Sequence, residues 1–165
     1  MSSKDKRSFD DEYIRYVLDT YSDSVIRLCY TYVRNTHDAE DIAEDTFCEL
    51  IRTCPEFEST DHERAWLLRV AVNKCKNHLK SARVRLSEPL TDDMSGDTVP
   101  PPGEGGDVME AVLELPEKYR VVIHLYYYQG LSIREIARIR RTTSATIGTQ
   151  LARGRSLLKK KLEVR

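Results

Sequence analysis

The polar side chains between residues 131 and 162 are of the types that contact DNA in a major groove. Arginine, threonine, serine and glutamine hydrogen-bond to base edges and to phosphate oxygens. The chain from residue 118 onwards holds twelve basic and two acidic residues, a density that favours a DNA surface over a merely solvated basic face. The candidate DNA contacts in this region are Arg134, Arg141, Thr143, Ser144, Thr146, Thr149, Gln150, Arg153 and Arg155.

Two helices joined by a tight turn are predicted to position these side chains. Ser132 can cap the first helix, and Glu135 three residues later completes a capping box. A polar break at residues 140–142 precedes Thr143 and Ser144, either of which can cap a longer helix. The longer helix has one apolar stripe for burial, formed by Ile147, Leu151, Gly154, Leu158 and Leu162. The pattern predicts a helix-turn-helix whose other face is open to DNA.

A second basic block lies at residues 64–86, which hold seven basic and no acidic residues. The spacing predicts one long helix over Asp61–Arg83, with Trp66 near its start. Basic side chains interleaved with asparagine and an aromatic ring are typical of surfaces that bind unstacked bases. A single tryptophan at a helix start usually packs, however, and we expect Trp66 to be buried or half-buried. The candidate DNA contacts on this helix are Arg64, Asn73, Lys74, Asn77, Lys80 and Arg83.

An acidic face is predicted on the preceding helix, over His37–Thr53. Its apolar residues recur at helical spacing, and its other side carries Asp38, Asp41, Glu44, Asp45 and Glu49. Acidic residues in a first turn stabilise the helix dipole, but this stripe continues for three turns. Two interpretations remain open: a solvated face, or a docking face for a basic partner.

The apolar periodicity is helical throughout the chain. A first helix is predicted over residues 9–34, in which Ser22 could break the helix and cap a second segment, and helices resume at Asp107. Residues 87–106 between them are rich in proline and glycine and carry only acidic charge, as flexible linkers do. We therefore predict an all-α chain of two small helical domains, residues 1–86 and 107–165, joined by a flexible acidic linker at 87–106.

Composition and cysteine spacing exclude several classes of protein. No run of about eighteen apolar residues occurs, and the first residues lack an apolar signal core, so we expect a cytoplasmic protein with no membrane insertion. The four cysteines have irregular spacing without a Cys-x-x-Cys pair, which predicts reduced, mostly buried thiols and no metal site. No nucleotide-binding loop or nucleophile–base pair stands out, so we predict neither a cofactor nor enzymatic activity.

Four segments, taken in order, resemble the extracytoplasmic-function (ECF) group of bacterial RNA polymerase sigma factors, in the sigma-70 superfamily. The segments are DAEDIAEDTF (38–47), RAWLLRVAVNKCKNHLKS (64–81), LPEKYRVVIHLYYYQGLSIREIA (115–137) and TIGTQLARGRSLLKKKL (146–162). The resemblance covers residues 10–86 and 107–163. It implies a region 2-like helical bundle and a region 4-like helix-turn-helix domain that together direct promoter-specific transcription initiation.

The resemblance also implies a role for each predicted surface. The segment from Asp38 to Leu50 would dock on the clamp helices of the largest subunit of core RNA polymerase. The segment 54–83 would recognise and melt the minus-ten promoter element, with Pro55–Thr60 capturing a flipped base. The C-terminal domain would read the minus-thirty-five element and contact the flap of the second-largest subunit. An anti-sigma factor would cover both domains, so the protein would be nucleoid-associated when active and held near the membrane when inhibited.

The chain departs from the resembled pattern at several positions. Arg140-Arg141-Thr142 replaces a Leu-Gly-hydrophobic turn, and Gly148 and Gln150 stand where basic residues are frequent. Glu44 occupies a position where glutamine is frequent. The promoter sequence that this chain reads is therefore expected to differ from that of better-known members.

Two other interpretations compete with the sigma factor. A stand-alone helix-turn-helix regulator, with N-terminal helices for ligand binding or dimerisation, would explain the C-terminal half but not the second basic block. Binding to a palindromic duplex without polymerase would favour it. A helical enzyme is the more distant alternative, and turnover of a small substrate would be needed to support it.

Overall fold

The computed structural model describes residues 9–85 and 106–164, and every regular element in these ranges is helical. The helices are α1 (Asp11–Val33), α2 (Thr36–Thr53), α3 (Thr60–Arg85), α4 (Asp107–Leu113), α5 (Glu117–Ile123), α6 (Ile133–Arg140) and α7 (Ser144–Val164). A π-helical turn, His124–Tyr128, continues α5. The all-α prediction is confirmed. The predicted linker lies, apart from Gly106, outside the described residues.

Polar side chains begin the first three helices. The Asp10 carboxylate accepts a hydrogen bond from the Tyr13 backbone N–H at 2.8 Å, and the Asn35 side chain accepts one from Asp38 N–H at 2.9 Å. The Ser59 hydroxyl oxygen accepts a bond from His62 N–H at 3.1 Å. Each bond satisfies a donor that an α-helix leaves without an internal partner.

Helix α1 is continuous, and the break considered at Ser22 does not occur. Tyr21 is buried, and its hydroxyl donates to a Glu63 carboxylate oxygen on α3 at 2.8 Å. The Tyr13 hydroxyl donates to the other Glu63 oxygen. Because two residues two turns apart on α1 bind one carboxylate, contacts with α3 favour a straight helix through the position where local sequence allows a break.

The three N-terminal helices enclose an apolar core. Helix α2 buries one side against α1 and α3, as its spacing predicts. The side chains buried in this half include Val25, Leu28, Cys29, Tyr32, Ile42, Phe47, Leu50, Leu67, Leu68, Val72 and Cys75. Trp66 is half-buried and packs edge-on against Phe57, with ring centroids 5.9 Å apart. The interpretation of Trp66 as a packing residue is therefore confirmed.

The C-terminal helices surround a core formed by α5, the π-helical turn and the helix-turn-helix. Apolar spacing predicts that Val108, Ala111, Val112 and Leu115 all face inward, but Val108 is 48% exposed and Met109 is buried instead. Helix α4 is only seven residues long, so apolar spacing did not determine which of two adjacent residues faces α7. Tyr127 and Tyr128 are exposed, so the run of three tyrosines at residues 126–128 extends to the surface.

The two halves pack against each other rather than standing apart. Helix α1 contacts α5 and the π-helical turn, and α3 contacts α6. The buried apolar residues form one continuous cluster across both halves. Nothing in the apolar spacing predicts this packing. Within the described ranges, no helix has the length and apolar character needed to cross a bilayer.

Candidate functional site

The helix-turn-helix has the predicted capping. The Ser132 hydroxyl oxygen accepts from Glu135 N–H at 3.1 Å, and the Glu135 carboxylate accepts from Ser132 N–H at 3.2 Å. Helix α6 ends at a left-handed residue, Arg141, with φ of 56°. Thr143 then caps α7, since its hydroxyl oxygen accepts from Thr146 N–H at 3.1 Å. Of the two cap residues considered, Thr143 forms the bond.

The outer face of α7 is polar, as predicted. Ile147 and Leu151 are buried on the inner side with Gly154. Gln150 is half-buried, and its amide oxygen has no hydrogen-bond partner. The remaining predicted DNA contacts of this region are exposed: Arg134, Arg141, Thr143, Ser144, Thr146, Thr149, Arg153 and Arg155.

Arg155 is held in place by aromatic side chains from the π-helical turn. Its Nε donates to the Tyr127 hydroxyl at 2.6 Å. Its guanidinium carbon lies 5.6 Å from the Tyr126 ring centroid and 5.5 Å from that of Tyr127. Cation–π contacts of this kind orient the guanidinium without neutralising its charge. The charge of Arg155 therefore remains available to an anionic ligand.

The predicted DNA contacts on α3 divide into two groups. Asn77 and Lys80 are exposed, and Asn73 is half-buried. Lys74 lies 3.1 Å from Glu49 on α2, and Arg83 lies 3.3 Å from Glu117 on α5. Arg64 donates to the backbone oxygen and the side-chain oxygen of Gln129. Helix α3 therefore presents part of its polar face to solvent and part to the C-terminal half.

An aromatic cluster borders the loop at residues 55–60. The His62 ring meets Phe57 edge-on, with centroids 5.4 Å apart, and the Trp66 ring also meets Phe57 edge-on. The Glu58 backbone N–H donates to His62 Nδ1 at 3.2 Å. Because Nδ1 accepts this hydrogen bond, the neutral ring carries its own hydrogen on Nε2. Aromatic faces and an N–H donor are the groups that hold an unstacked base.

The acidic residues of α2 lie on the face away from the core. Glu44 and Asp45 are exposed. Asp41 lies 3.4 Å from His37 Nε2, and Asp38 lies 3.2 Å from His78 Nε2. Glu49 binds Lys74 and lies 3.8 Å from Arg52. The middle of the stripe is thus its most accessible part, while its two ends contact neighbouring side chains.

Sequence spacing missed the side chains that join the halves. They are Arg120, His124, Gln129 and Arg140 of the C-terminal half, and Ser24, Thr31, Tyr32 and Lys76 of the N-terminal half. Each has a polar or cationic side chain that looks like an ordinary surface or helix-end residue in the sequence. They differ from ordinary surface residues only in the folded protein, where they contact residues about 65 to 110 positions away in the sequence.

The four cysteines are free thiols in different environments. Cys29 and Cys75 are buried, whereas Cys54 is half-buried and Cys48 is exposed, so the expectation of mostly buried thiols holds for two of the four. A hydrogen bond with Cys29, together with burial, raises the pKa of the Cys75 thiol. Over residues 9–85 and 106–164, no group of three or more His, Cys, Asp or Glu could hold a metal ion.

Comparison with known families matches both halves of the chain. Sigma-70 region 2 matches residues 17–85, and Sigma-70, region 4 matches residues 106–158. The first match spans most of α1 and all of α2 and α3, and the second spans α4 to most of α7. The two regions occur in the order that the sequence motifs predict.

Individual relatives agree with the family matches. The ECF RNA polymerase sigma factor SigW of Bacillus subtilis is 31% identical, over 96% of this chain and 94% of its own. The RNA polymerase sigma-H factor of Pseudomonas aeruginosa is 26% identical, over 96% of this chain and 88% of its own. Similarity therefore extends over nearly the full length of both relatives.

Solved structures show the same fold. The sigma factor RpoE from Bartonella quintana, in complex with the anti-sigma factor NepR, superposes with a TM-score of 0.70 at 18% identity, over 94% of this chain and 99% of that one. CnrH, in complex with the cytosolic domain of CnrY, superposes with a TM-score of 0.66 at 19% identity, over 94% and 90%. The chain belongs to the ECF group of the sigma-70 family, and it directs promoter-specific initiation of transcription by RNA polymerase.

Proposed function

We propose that three surfaces of this sigma factor divide its work, and that none of them catalyses a reaction. The acidic face of α2 attaches the protein to core polymerase, α3 and the loop at 55–60 open the promoter, and the helix-turn-helix positions the duplex. The single observation that carries this proposal is that two basic polar surfaces and one acidic surface lie on separate helices of a chain with the sigma regions in order.

The polymerase contact is proposed for Asp38, Asp41, Glu44, Asp45 and Glu49, with basic residues of the clamp helices as the partner. Glu44 and Asp45 are the most exposed of these and form the centre of the contact. Opposite charges across an interface speed association and fix its orientation. The flap of the second-largest subunit is proposed to contact the C-terminal half.

Charge reversal tests this surface. The double change Glu44→Lys and Asp45→Lys should weaken binding to core polymerase by at least about tenfold, because close charge pairs in interfaces contribute about 1.5 kcal/mol or more. Asp19→Lys changes an exposed acid on α1 and serves as the control. Equal affinity of the α2 variant and the control in a fluorescence anisotropy titration would exclude the acidic face.

Promoter opening is proposed for α3 and the neighbouring loop. Asn77 and Lys80 are exposed on α3, and the Phe57, His62 and Trp66 rings offer stacking faces for an unpaired base. Arg64, Asn73, Lys74 and Arg83 complete the proposed minus-ten surface. Recognition of the minus-thirty-five element is proposed for Arg134, Arg141, Thr143, Ser144, Thr146, Thr149, Gln150, Arg153 and Arg155.

Transcription from a random promoter library with purified core polymerase tests the whole proposal. Initiation that depends on this protein, at promoters with two shared sequence blocks, is the expected result. Thr149→Ala should relax one position of the upstream block. Lys159→Ala removes an exposed positive charge outside the proposed base contacts and should leave the sequence preference intact, because phosphate contacts carry no base information. Tight binding to a palindromic duplex without polymerase, and no transcripts, would instead identify a stand-alone regulator.

We further propose an anti-sigma factor as the protein's inhibitor in the bacterial cytoplasm. Support comes from the fold, since the superposed RpoE is a sigma factor in complex with the anti-sigma factor NepR, and the superposed CnrH is in complex with the cytosolic domain of CnrY. Co-purification of this protein from its host, followed by mass spectrometry, tests the proposal. The expected partner blocks both core binding and transcription when it is added back.

A further inference from the structure

The turn between α6 and α7 has a backbone conformation that suits glycine, yet an arginine occupies it. Arg141 has a φ of 56° and a ψ of 50°, in the left-handed region. Its N–H donates to the Arg138 backbone oxygen at 3.3 Å, and the Thr142 N–H donates to the Ala137 backbone oxygen at 3.0 Å. This pair of bonds forms a Schellman motif, in which glycine is the usual residue because a Cβ is unfavourable there. Arg141 therefore destabilises the turn relative to glycine.

Of the residues that the structure describes, two others apart from glycine have a positive φ, and each has a local contact that accounts for it. Arg34 follows α1, whose last turn has no basic residue, so its charge stabilises the partial negative charge of that helix end. The Cys54 thiol donates to the Ile51 backbone oxygen at 3.1 Å. Helix α6, in contrast, already has Arg138 and Arg140 in its last turn. A third arginine at this helix end therefore adds little to the stability of α6.

The positive charge of Arg141 is not neutralised within the part of the chain that the structure describes. Its exposed guanidinium has neither a hydrogen-bond acceptor nor a carboxylate partner there. Lys76 of α3 approaches the same turn and donates to the Arg140 backbone oxygen at 3.3 Å. Burial, followed by the charges of Arg140 and Arg141, lowers the pKa of the Lys76 ammonium, and Glu117 offsets this only in part. Because like charges repel, the turn concentrates positive charge at a cost in stability.

An anion bound at the turn would offset this concentration of charge. A guanidinium binds phosphate oxygens through two parallel N–H donors, and phosphate is the anion that a DNA duplex presents. Arg141 lies two residues before Thr143, which caps α7. In a helix-turn-helix, the start of the second helix is the part that enters the major groove. The turn therefore places an unpaired arginine beside the sugar–phosphate backbone of a bound duplex.

We infer that Arg141 binds a DNA phosphate from the turn of the helix-turn-helix, and that the same residue lowers the stability of the free protein. The inference rests on the proposed assignment of the helix-turn-helix to the minus-thirty-five element. It goes beyond that assignment, because a phosphate contact adds affinity at every promoter without reading the base sequence. Stability and DNA affinity should therefore change in opposite directions in Arg141→Gly.

Thermal unfolding of Arg141→Gly and Arg141→Ala separates the backbone strain from the charge. Both variants remove the guanidinium, but only Arg141→Gly also removes the Cβ that disfavours the left-handed conformation. The melting temperature of Arg141→Gly should lie about 2–4 °C above that of Arg141→Ala, and it should also exceed that of the unchanged protein. Equal melting temperatures for the two variants would overturn the destabilising role of Arg141.

Promoter binding by core polymerase reconstituted with this protein tests the phosphate contact. The promoter is one recovered from the random library, and its affinity is measured by fluorescence anisotropy between about 50 and 200 mM salt. Both Arg141 variants should bind about tenfold more weakly at the lowest salt concentration, as expected for loss of hydrogen bonds to a charged group. The slope of log affinity against log salt concentration should fall in magnitude by about 0.9, which corresponds to one phosphate.

Arg34→Gly is the matched control for the DNA measurements. Arg34 is also an exposed arginine with a left-handed backbone, at a φ of 55°, but it follows α1 in the N-terminal half. The affinity and the salt dependence of Arg34→Gly should equal those of the unchanged protein. An unchanged affinity and slope in Arg141→Ala would overturn the phosphate contact. A changed sequence preference in the promoters recovered with Arg141→Ala would overturn it in favour of a base contact.

A failure of the proposed function can be distinguished from a failure of this inference. If the unchanged protein directs transcription and Arg141→Ala binds promoters equally well at every salt concentration, the proposed function holds and only the inference fails. If no promoter is transcribed, the proposed function fails, and the same variants are compared on a duplex that the protein binds without polymerase. Equal affinities there, or no DNA binding at all, would overturn the inference as well.

Discussion

His124 is a histidine whose pKa is lowered because the two halves of the chain bury it. It is 1% exposed and stacks on Tyr128, with ring centroids 5.6 Å apart. Burial, and secondarily the charge of Arg27, lowers its pKa to about 3. A protonated ring would need an acceptor at Nε2, where the Gln129 amide nitrogen lies. The folded protein therefore keeps this histidine neutral across the physiological range.

Stability should depend on pH through His124. An unfolded histidine binds a proton below about pH 6.5, whereas the folded one does so only near pH 3. The stabilising contribution is complete above pH 6.5 and is lost as the pH falls toward 3. Urea unfolding should show a loss of about 2 kcal/mol between pH 7.5 and 5 that is absent in His124→Asn. Parallel pH profiles for the two proteins would contradict a buried neutral His124.

Glu63 is a second side chain whose role depends on tertiary contacts. Its carboxylate is buried and accepts hydroxyl hydrogen bonds from Tyr13 and Tyr21. Burial, followed by the bond with Glu63, raises the pKa of both tyrosines. In the sequence, the same glutamate looks like a first-turn residue that favours a helix dipole.

Tyr21→Phe should destabilise the protein because it leaves the Glu63 carboxylate with one bond fewer in a buried site. A hydrogen bond to a charged group contributes about 1.5–3 kcal/mol, and the free energy of urea unfolding should fall by this amount. Tyr119→Phe removes a hydroxyl from the other half and should change stability by less than about 0.5 kcal/mol. If the free energy of unfolding fell by less than about 0.5 kcal/mol in Tyr21→Phe as well, water would have to reach the Glu63 carboxylate.

At the scale of elements, sequence periodicity predicted most of the helices and the caps of the helix-turn-helix. These features depend on neighbours within four residues, as the bonds between Ser132 and Glu135 illustrate. It did not predict the π-helical turn after Ile123 or the unbroken α1, because both depend on contacts distant in the sequence. In this turn the Gln129 backbone N–H donates to the His124 carbonyl oxygen five residues earlier. The turn thereby places the Gln129 side chain against α1. Local spacing therefore predicts the elements better than their junctions.

The two glycines of α7 have opposite packing environments and give a matched pair. A methyl group at Gly148 would meet nothing within 4 Å, whereas at Gly154 it would lie 2.9 Å from Ile123 Cδ1 and 3.4 Å from Tyr119 Cβ. Gly148→Ala should raise the free energy of unfolding by up to about 1 kcal/mol through helix propensity. Gly154→Ala should lower it by about 1–3 kcal/mol, because Ile123 is buried and cannot move freely.

Thermal unfolding followed by circular dichroism distinguishes the two glycines. For a domain of this size, the melting temperature should rise by about 2–4 °C in Gly148→Ala and fall in Gly154→Ala. The same direction in both variants would mean that α7 does not pack on α5 as closely as the distances indicate. A glycine inside the recognition helix is less favourable than an alanine, and this experiment measures the cost of Gly148.

At the scale of the whole molecule, the two sigma regions were predictable but their packing was not. Charge segregation and proline–glycine content indicated two regions at residues 1–86 and 107–165. The residues that join them, such as Arg120 and Gln129, are single polar side chains without periodicity. Contacts of this kind depend on the three-dimensional approach of distant helices, so a pattern within one helix contains no signal for them.

The continuous core predicts that the halves unfold together. Trp66 is the only tryptophan and packs in the N-terminal half, so its fluorescence reports that half alone, whereas circular dichroism reports both. Urea transitions followed by the two probes should coincide in the unchanged protein, because the buried cluster spans both halves. Arg120→Ala removes the charged cap between α5 and α1 and should separate the midpoints, while Lys118→Ala should not. Midpoints that already differ in the unchanged protein would mean that the halves unfold as independent units, and the contacts of Arg120 would then contribute little to the stability of either.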